Sequence, residues 1–409
     1  PQIGMRVLVP LGKKHIIGIV YRKHEGEIPE NIRIREIVQT IDDQAIVTTE
    51  QLRLWEWLAQ YYMCSMGEVM AAALPSEIID DNYSAATTQV ITLSPTYLSA
   101  EVQETLLQSL QRAKKQQQLV ADFLRLAGSG YRVERRELLE TTGVSGAVLR
   151  TLIERGVFCE EEQAISRLRQ YTGQTHAAHT LDMQQARAVE AIQTAWQEKN
   201  VTLLHGVTSS GKTEVYIHLI EETIKHGKQV LYLVPEIALT TQLTDRLQAV
   251  FGKQLLVYHS RFSNAERVEI YREVRDEEVE GRGKVILGAR SAIFLPFKDL
   301  GLIIVDEEHE PSYKQQDPAP RYHARSAAIM MASWYGAKVL LGTATPSVES
   351  YHNAMSGKYG LVEMRERFKG LQLPKITLVD LQRQYHRKEM YGHFADPVVF
   401  RIREEIAKG

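Results

Sequence analysis

The chain has 409 residues, of which 44% are hydrophobic and 24% charged, with a formal net charge of −2. That balance is expected of a soluble globular protein of two to four domains and excludes a disordered or fibrous chain; overall charge names no partner. No apolar run approaches the roughly 18 residues of a membrane span, and the N-terminus lacks a signal pattern, so a cytoplasmic location with no membrane partner is expected.

Cys64 and Cys159 lie far apart with no CxxC or Cys/His spacing around either, which argues against a zinc site or disulfide framework within the chain. Both are expected to be ordinary buried or partly buried thiols. The sequence opens at Pro1 without a methionine and stops at Gly409 inside RIREEIAKG, a stretch that reads as helix, so it is expected to be part of a longer protein.

Residues 1–95 begin with two strand-like runs, Met5 to Pro10 and Ile16 to Tyr21, separated by Gly12 and Lys13, which predicts a small β-rich module. LRLWEWLAQYY then places Leu54, Trp57, Leu58 and Tyr61 at helical spacing, and Gly67 and Pro75 punctuate the stretch after it. Trp55, Trp57, Tyr61 and Tyr62 fit core packing better than a base-stacking platform.

Residues 96–175 read as helical, broken at Gly128, Ser129 and Gly130. A short helix, a turn at Thr142 to Ser145, a second helix through Val148 and Leu152 and a strand near Val157 together predict a winged helix. Gln111 to Arg136 holds seven basic residues against two acidic ones, a bias that suits phosphates as well as it suits a solvated helix face.

From 176 to 370, apolar runs alternate with helical stretches: Val201 to Leu204, Val230 to Val234, Leu255 to Tyr258, Val285 to Leu287, Leu302 to Val305 and Val339 to Leu341. Continuous Val/Ile/Leu runs separated by helices predict a parallel sheet covered on both faces, an α/β fold. Residues 371–409 add one strand candidate, Ile376 to Val379, and then polar sequence.

Gly206 to Thr213 reads GVTSSGKT and fits the phosphate-loop pattern GxxxxGK[ST], between a strand and a helix starting near Glu214. The glycines let backbone N–H groups wrap phosphates, and the helix N-terminus adds favourable partial charge. Gly206, Val207, Thr208, Ser209, Ser210 and Gly211 form the cradle. Lys212 is placed to neutralise the β and γ phosphates of ATP, and Thr213 to put its hydroxyl on Mg²⁺. Downstream, LIIVDEEH ends a strand in acid, where open α/β sheets gather their ligands. Asp306 is assigned to the Mg²⁺ shell and Glu307 to the attacking water, against the plainer reading of a solvated acidic turn.

GVTSSGKTE, VPEIALTTQ, GARSAIF, DEEHEPSYKQQ and GTATPS together resemble the first motor lobe of superfamily 2 helicases. GKTEVY, VPEIALT, DEEH in place of the commoner DEAH or DECH, and SYKQQ leading to RYHAR are similar to the PriA family of primosomal replication-restart DNA helicases. GMRVLVPLGKKHIIGIV resembles that family's fork-binding strand pair, and AQYYMCSMGEVMAAALP the helix and turn beyond it.

The resemblance implies a RecA-like motor lobe preceded by a small β-rich domain that binds the 3′ end at a fork and by a winged helix. It implies an ATP- and Mg²⁺-dependent 3′-to-5′ DNA helicase that restarts stalled replication forks. Implied partners are forked and single-stranded DNA, primosome proteins and single-strand-binding protein. It would place Gln185 of LDMQQ against adenine, although a plain helix-surface glutamine fits as well. Arg290 would contact a DNA phosphate, and Thr343 and Thr345 would couple the nucleotide to the DNA track. Tyr313, Lys314, Arg321, Tyr322 and Arg325 would form an aromatic-rich loop that senses DNA.

Ser209 departs from the glycine common at its position in that family. The second motor lobe and a paired-cysteine zinc region would lie downstream, so zinc is expected only there and this chain alone is expected to hydrolyse little ATP. Another superfamily 2 translocase and a fork-binding scaffold with an inactive motor stay open as alternatives.

Overall fold

The computed structural model describes residues 1–24, 26–27, 33–81, 83–168, 171–276, 284–367 and 376–408. In the first region β1 (Arg6–Leu11) and β2 (Lys14–Ile19) form an antiparallel hairpin around Gly12, whose φ of +61° suits glycine, and β3 (Gln39–Thr40) pairs with the other edge of β1. Helices α1 (Thr49–Tyr61), α2 (Met66–Ala73) and α3 (Ser76–Ile79) come next, the first two opened by the capping boxes Thr48/Gln51 and Ser65/Glu68.

The inward stripe of α1 differs from the expected one: Leu54 and Leu58 are buried with Leu52 and Trp55, whereas Trp57 is half-buried and Tyr61 is 65% exposed. The cause is tertiary. Leu52, Trp55 and Leu58 share one core with Ile293, Phe294 and Ala328 of the third region, and that contact selects the face. Gln51 Nε2 donates to the Phe294 carbonyl at 2.7 Å, and the Tyr271 hydroxyl donates to the Ile46 carbonyl at 3.0 Å.

The winged helix is built from β4 (Ala86–Leu93), α4 (Ala100–Ser109), α5 (Lys114–Ala127), β5 (Arg132–Glu134), α6 (Arg135–Thr142), α7 (Gly146–Glu154) and β6 (Phe158–Ile165). Its sheet runs β5-β4-β6, and it has a core of its own around Ile91, Leu119, Phe123, Leu149, Leu152 and Phe158. Gly143 ends α6 in the left-handed region, as the expected turn requires. Within the basic stretch Arg125, Arg132, Arg135 and Arg136 are paired with Asp122, Glu161, Glu160 and Glu140, so four of its seven cations are already neutralised at a solvated surface. Cys64 is half-buried but Cys159 is exposed, against the expectation for it, because it lies on β6, most of whose residues are exposed.

The third region is a seven-stranded parallel sheet in the order β13-β7-β12-β11-β8-β10-β9. Its strands are β7 (Val201–Gly206), β8 (Gln229–Leu233), β9 (Leu255–Tyr258), β10 (Val285–Gly288), β11 (Leu300–Asp306), β12 (Lys338–Thr343) and β13 (Gly360–Met364). Six were expected; β13 was not, because an edge strand reading GLVEM carries too short an apolar run to announce itself.

The helices here are α8 (Met183–Glu198), α9 (Lys212–Lys225), α10 (Thr241–Phe251), α11 (Asn264–Arg275), α12 (Ala324–Tyr335) and α13 (Val348–Met355). Leu203, Leu231, Ile303 and Leu341 join one core, and Leu204, Tyr232, Ile304 and Leu340 the other, so successive residues bury opposite faces of the sheet.

Ile376 to Val379 forms no strand; Ile376 and Leu378 are exposed and no apolar layer covers them. α14 (Leu381–His386), a two-residue-per-strand hairpin of β14 (Met390–Tyr391) and β15 (Phe394–Ala395), and α15 (Asp396–Ala407) complete the described residues, the last as RIREEIAKG led one to expect. The expected boundary between 370 and 371 lies outside them. No described helix is long and apolar enough to cross a membrane.

Candidate nucleotide site and the loop beside it

β7 ends at Gly206, α9 begins at Lys212, and the five residues between them curl over the helix N-terminus. The space is tight. A Cβ on Gly206 would stand 2.8 Å from Ser210 Oγ, and one on Gly211, at φ +84°, would stand 2.2 Å from Gln185 Nε2. Ser209 takes φ +63°, a left-handed conformation that disfavours a side chain and favours glycine. The cleft above has a volume of about 760 Å³ and is lined by His179, Thr180, Gln185, the loop, Lys212, Thr213, Glu214, Arg246, Asp306 and Glu307.

Lys212 Nζ donates to the Gly206 carbonyl at 2.9 Å. Gln185 is buried: its Oε1 accepts from the Asp182 N–H at 2.8 Å as part of the capping box of α8, and its Nε2 reaches the Gly211 carbonyl at 3.5 Å. It therefore braces the phosphate loop and is no plain surface glutamine. Ser210 Oγ is buried with no partner among the described residues, a polar atom left for something in the cleft.

Asp306 closes β11 opposite the loop. Its carboxylate accepts from the hydroxyls of Tyr216 at 2.9 Å and Tyr232 at 3.2 Å. Burial raises its pKa; the Tyr216 hydrogen bond opposes that, the Glu307 charge adds to it and Lys212 pulls it down. A cation beside it would favour the charged form. Glu307 sits at φ +46°, strained backbone at the end of a strand. Among the described residues no three His, Cys, Asp or Glu are grouped to hold a metal. The donors here suit an ion that keeps phosphate and water oxygens and takes one carboxylate and one hydroxyl from the protein, which is the habit of Mg²⁺.

The next two residues point away from the cleft. His309 Nδ1 lies 2.8 Å from Thr343 Oγ1, its Nε2 3.3 Å from Thr345 Oγ1, and Thr345 N–H donates to Thr343 Oγ1 at 3.0 Å. Glu308 is fully buried and accepts from Ser347 N–H at 2.7 Å, from Ser350 Oγ at 2.8 Å and from Arg325. Burial pushes the Glu308 carboxyl up, but the Ser347 and Ser350 hydrogen bonds and the Arg325 charge outweigh it and hold it below the ordinary carboxylate value.

The expected aromatic-rich loop is mostly turned inward. Tyr313 and Tyr322 are each 1% exposed; the Tyr313 hydroxyl lies 2.6 Å from the Asp306 carbonyl and 3.0 Å from the Leu233 carbonyl, and Tyr322 packs edge-on against Phe294. Neither ring offers a face to a base in this arrangement. Arg325 is occupied by Glu308 and Ser347, and Arg321 by Asp317 at 2.9 Å. Arg290 Nη1 donates to the carbonyls of Ser312 and Lys314 at 3.2 Å each, so it holds the loop down. Lys314 Nζ stands 5.0 Å from the ring centre of Tyr62, whose hydroxyl accepts from His323 N–H at 3.0 Å.

Sequence reasoning did not single out Tyr216, Tyr232, Glu308 or Arg246. Tyr216, at i+3 from Thr213 on α9, was legible in principle, since that spacing puts both on one helix face.

A parallel sheet with a phosphate loop after one strand and an acidic cluster after another two places away is a phosphate-loop nucleotide-binding lobe, and the DEAD/DEAH box helicase family model matches it over residues 183–354. Two more models match upstream: a 3′DNA-binding domain (3′BD) over residues 1–75 and the winged helix domain of PriA helicase from Bacteroidota over 88–165. The replication restart protein PriA of Bacillus subtilis is 31% identical across 100% of this chain and 57% of its own length. Those of Chlamydia pneumoniae and Haemophilus influenzae are each 32% identical, over 99% and 100% of this chain and 53% and 54% of theirs. The chain belongs to the PriA family. It spans about half the length of the relatives it matches. Among solved structures, RecG bound to a three-way DNA junction is 20% identical over 66% of this chain and 32% of its own, with a TM-score of 0.35.

Proposed function

We propose that this chain is the nucleotide-binding, fork-recognising part of an ATP-driven DNA helicase that restarts stalled replication forks. The carrying observation is that Lys212 and Asp306 line one cleft, while Glu308, two residues beyond Asp306, is paired with Arg325 at the far end of the loop that Arg290 holds down. In this reading residues 1–95 bind the 3′ end at a fork, 96–175 are the winged helix, 176–370 the motor lobe and 371–409 the start of the connection onward.

Thr213 and Asp306 would hold Mg²⁺, which when bound draws charge from the phosphate oxygens as the terminal bond breaks. Lys212 leaves the Gly206 carbonyl to neutralise the β and γ phosphates, Glu307 orients the attacking water, and Gln185 meets adenine while bracing Gly211. Arg290 contacts a DNA phosphate once it lets go of the loop, and Thr343 and Thr345 pass the change to His309. Tyr313, Lys314, Arg321, Tyr322 and Arg325 act as a packed relay, with Lys314 and Arg321 nearest to DNA. Movement 3′-to-5′, primosome proteins, single-strand-binding protein and a cytoplasmic setting belong to the proposal, and zinc is kept for sequence downstream of Gly409.

The test is equilibrium binding, at stated salt, to a fork with a leading-strand 3′ end at the junction, competed with duplex and single strand. Clear preference for the fork is expected; equal affinity for all three would defeat the fork-restart reading and leave a generic motor lobe.

A further inference from the structure

The stretch that leaves β13 is fastened over the phosphate loop. Val207 N–H donates to the Met364 carbonyl at 3.0 Å, extending the pairing of β13 with β7 into the loop itself. Two residues on, the Gln184 side chain takes both backbone groups of Glu366: Nε2 donates to its carbonyl at 3.0 Å and Oε1 accepts from its N–H at 2.9 Å. A side-chain amide matched to a peptide unit at two points fixes that unit in place. Arg367 comes next, and its Nη2 donates to Thr208 Oγ1 at 3.3 Å. Its Nε is buried and has no partner among the described residues. No carboxylate among them pairs with it.

An arginine held against the outside of a loop whose purpose is to gather anions, with a buried N–H left over, is short of an acceptor. A buried donor without a partner is costly, so such a group is expected to meet one when the site is filled. Arginine suits phosphate because its planar N–H groups can meet two oxygens at once.

We propose that Arg367 is a further phosphate contact of the nucleotide site, delivered from the segment after β13 and aimed by Gln184. The inference rests on the nucleotide-site reading above. Arg367 closes the side of the phosphate loop opposite Asp306, turning from Thr208 so that Nε and Nη2 face the phosphates beyond the α position. Arg367 lies three residues past the end of β13, so nucleotide occupancy and the end of that strand are tied through one residue.

Calorimetric titration of the chain with ATP, ADP and AMP in the presence of Mg²⁺ tests this. For Arg367→Ala the expected loss of ATP affinity is roughly 10- to 100-fold, the range of a charge-assisted contact. The loss shrinks for ADP and nearly vanishes for AMP. Arg367→Lys recovers part of it, and Gln184→Ala, which only frees the segment, gives a smaller loss with the same order among nucleotides. If Arg367→Ala binds ATP as the unaltered chain does, or weakens AMP as much as ATP, Arg367 merely props Thr208 and the proposal fails. Should Arg367→Ala not fold, Arg367→Lys and Gln184→Ala decide by the same ordering. Absence of ATP binding by the unaltered chain would instead overturn the nucleotide-site reading, and this inference with it.

Discussion

The two sides of the turn that ends β11 meet opposite fates, and the contrast is instructive. On the cleft side, Lys212, Thr213 and Glu307 line open space, and Ser209 and Glu307 hold strained backbone around it. On the loop side, Tyr313, Tyr322 and Arg325 are as rich in functional side-chain types, yet they are buried or paired. The first arrangement is poised to take up a ligand. The second is packed and paired at these residues and responds by rearranging, which suits a relay better than a contact surface.

The sharpest way to break this contrast is Tyr322→Ala. If the ring is core, its loss costs about 3–5 kcal/mol, and thermal melting shows a large drop in Tm. An unchanged Tm would return Tyr322 to the surface role that composition alone implies. In a longer form of the protein that hydrolyses ATP, the same change is expected to uncouple hydrolysis from DNA.

Acid should loosen the loop side before the cleft. His323 is half-buried, and burial first, then the charges of Arg325 and Lys314, lower its pKa from 6.5 to about 4. Protonation therefore favours the unfolded chain: the stability contribution is complete above about pH 6.5 and is lost as pH falls towards 4. Glu308, held below its ordinary value of 4.5, adds a loss at still lower pH. Melting scans from pH 7 to 4 should show a falling Tm, and His323→Gln should flatten the upper part of the fall; an unflattened curve would place the titrating group elsewhere.

The cleft side predicts gains. Asp306→Asn removes a charge whose burial the folded state disfavours, so it should stabilise the ligand-free chain by about 1 kcal/mol, read as a raised Tm, while abolishing Mg²⁺-dependent nucleotide binding. A lower Tm would mean that the Tyr216 and Tyr232 hydrogen bonds outweigh burial. Ser209→Gly should be the mildest. Relief of about 1 kcal/mol of left-handed strain is partly offset by the freedom glycine gives the unfolded chain, leaving a net gain of about 0.5 kcal/mol in denaturant titration. A net loss would show that the Ser209 side chain makes a compensating contact.

Legibility in the sequence divides along the same line. GVTSSGKT and DEEH announce chemistry through fixed spacing, and the alternation of Val/Ile/Leu runs with helices gave six of the seven strands of the sheet. The loop could not be read so far, because SYKQQDPAPRYHAR has the composition of a DNA contact whichever way its rings face. Direction is set by Phe294 and Leu233, which are distant in sequence from the rings they hold, and no local pattern carries that information. The α1 face was misplaced for the same reason: Trp55 and Trp57 are equally apolar, and only the docking of α1 on the motor lobe chooses between them. Gln185 was located by its motif, but its brace on Gly211 needed three dimensions.

The most direct test of the central claim is calorimetric titration of the chain with Mg²⁺ and ATP, beside Lys212→Ala. One saturable site in the unaltered chain, weakened by roughly 100-fold in Lys212→Ala, is the expected result. Equal binding by both, or none by either, would contradict the assignment of this cleft as a nucleotide site.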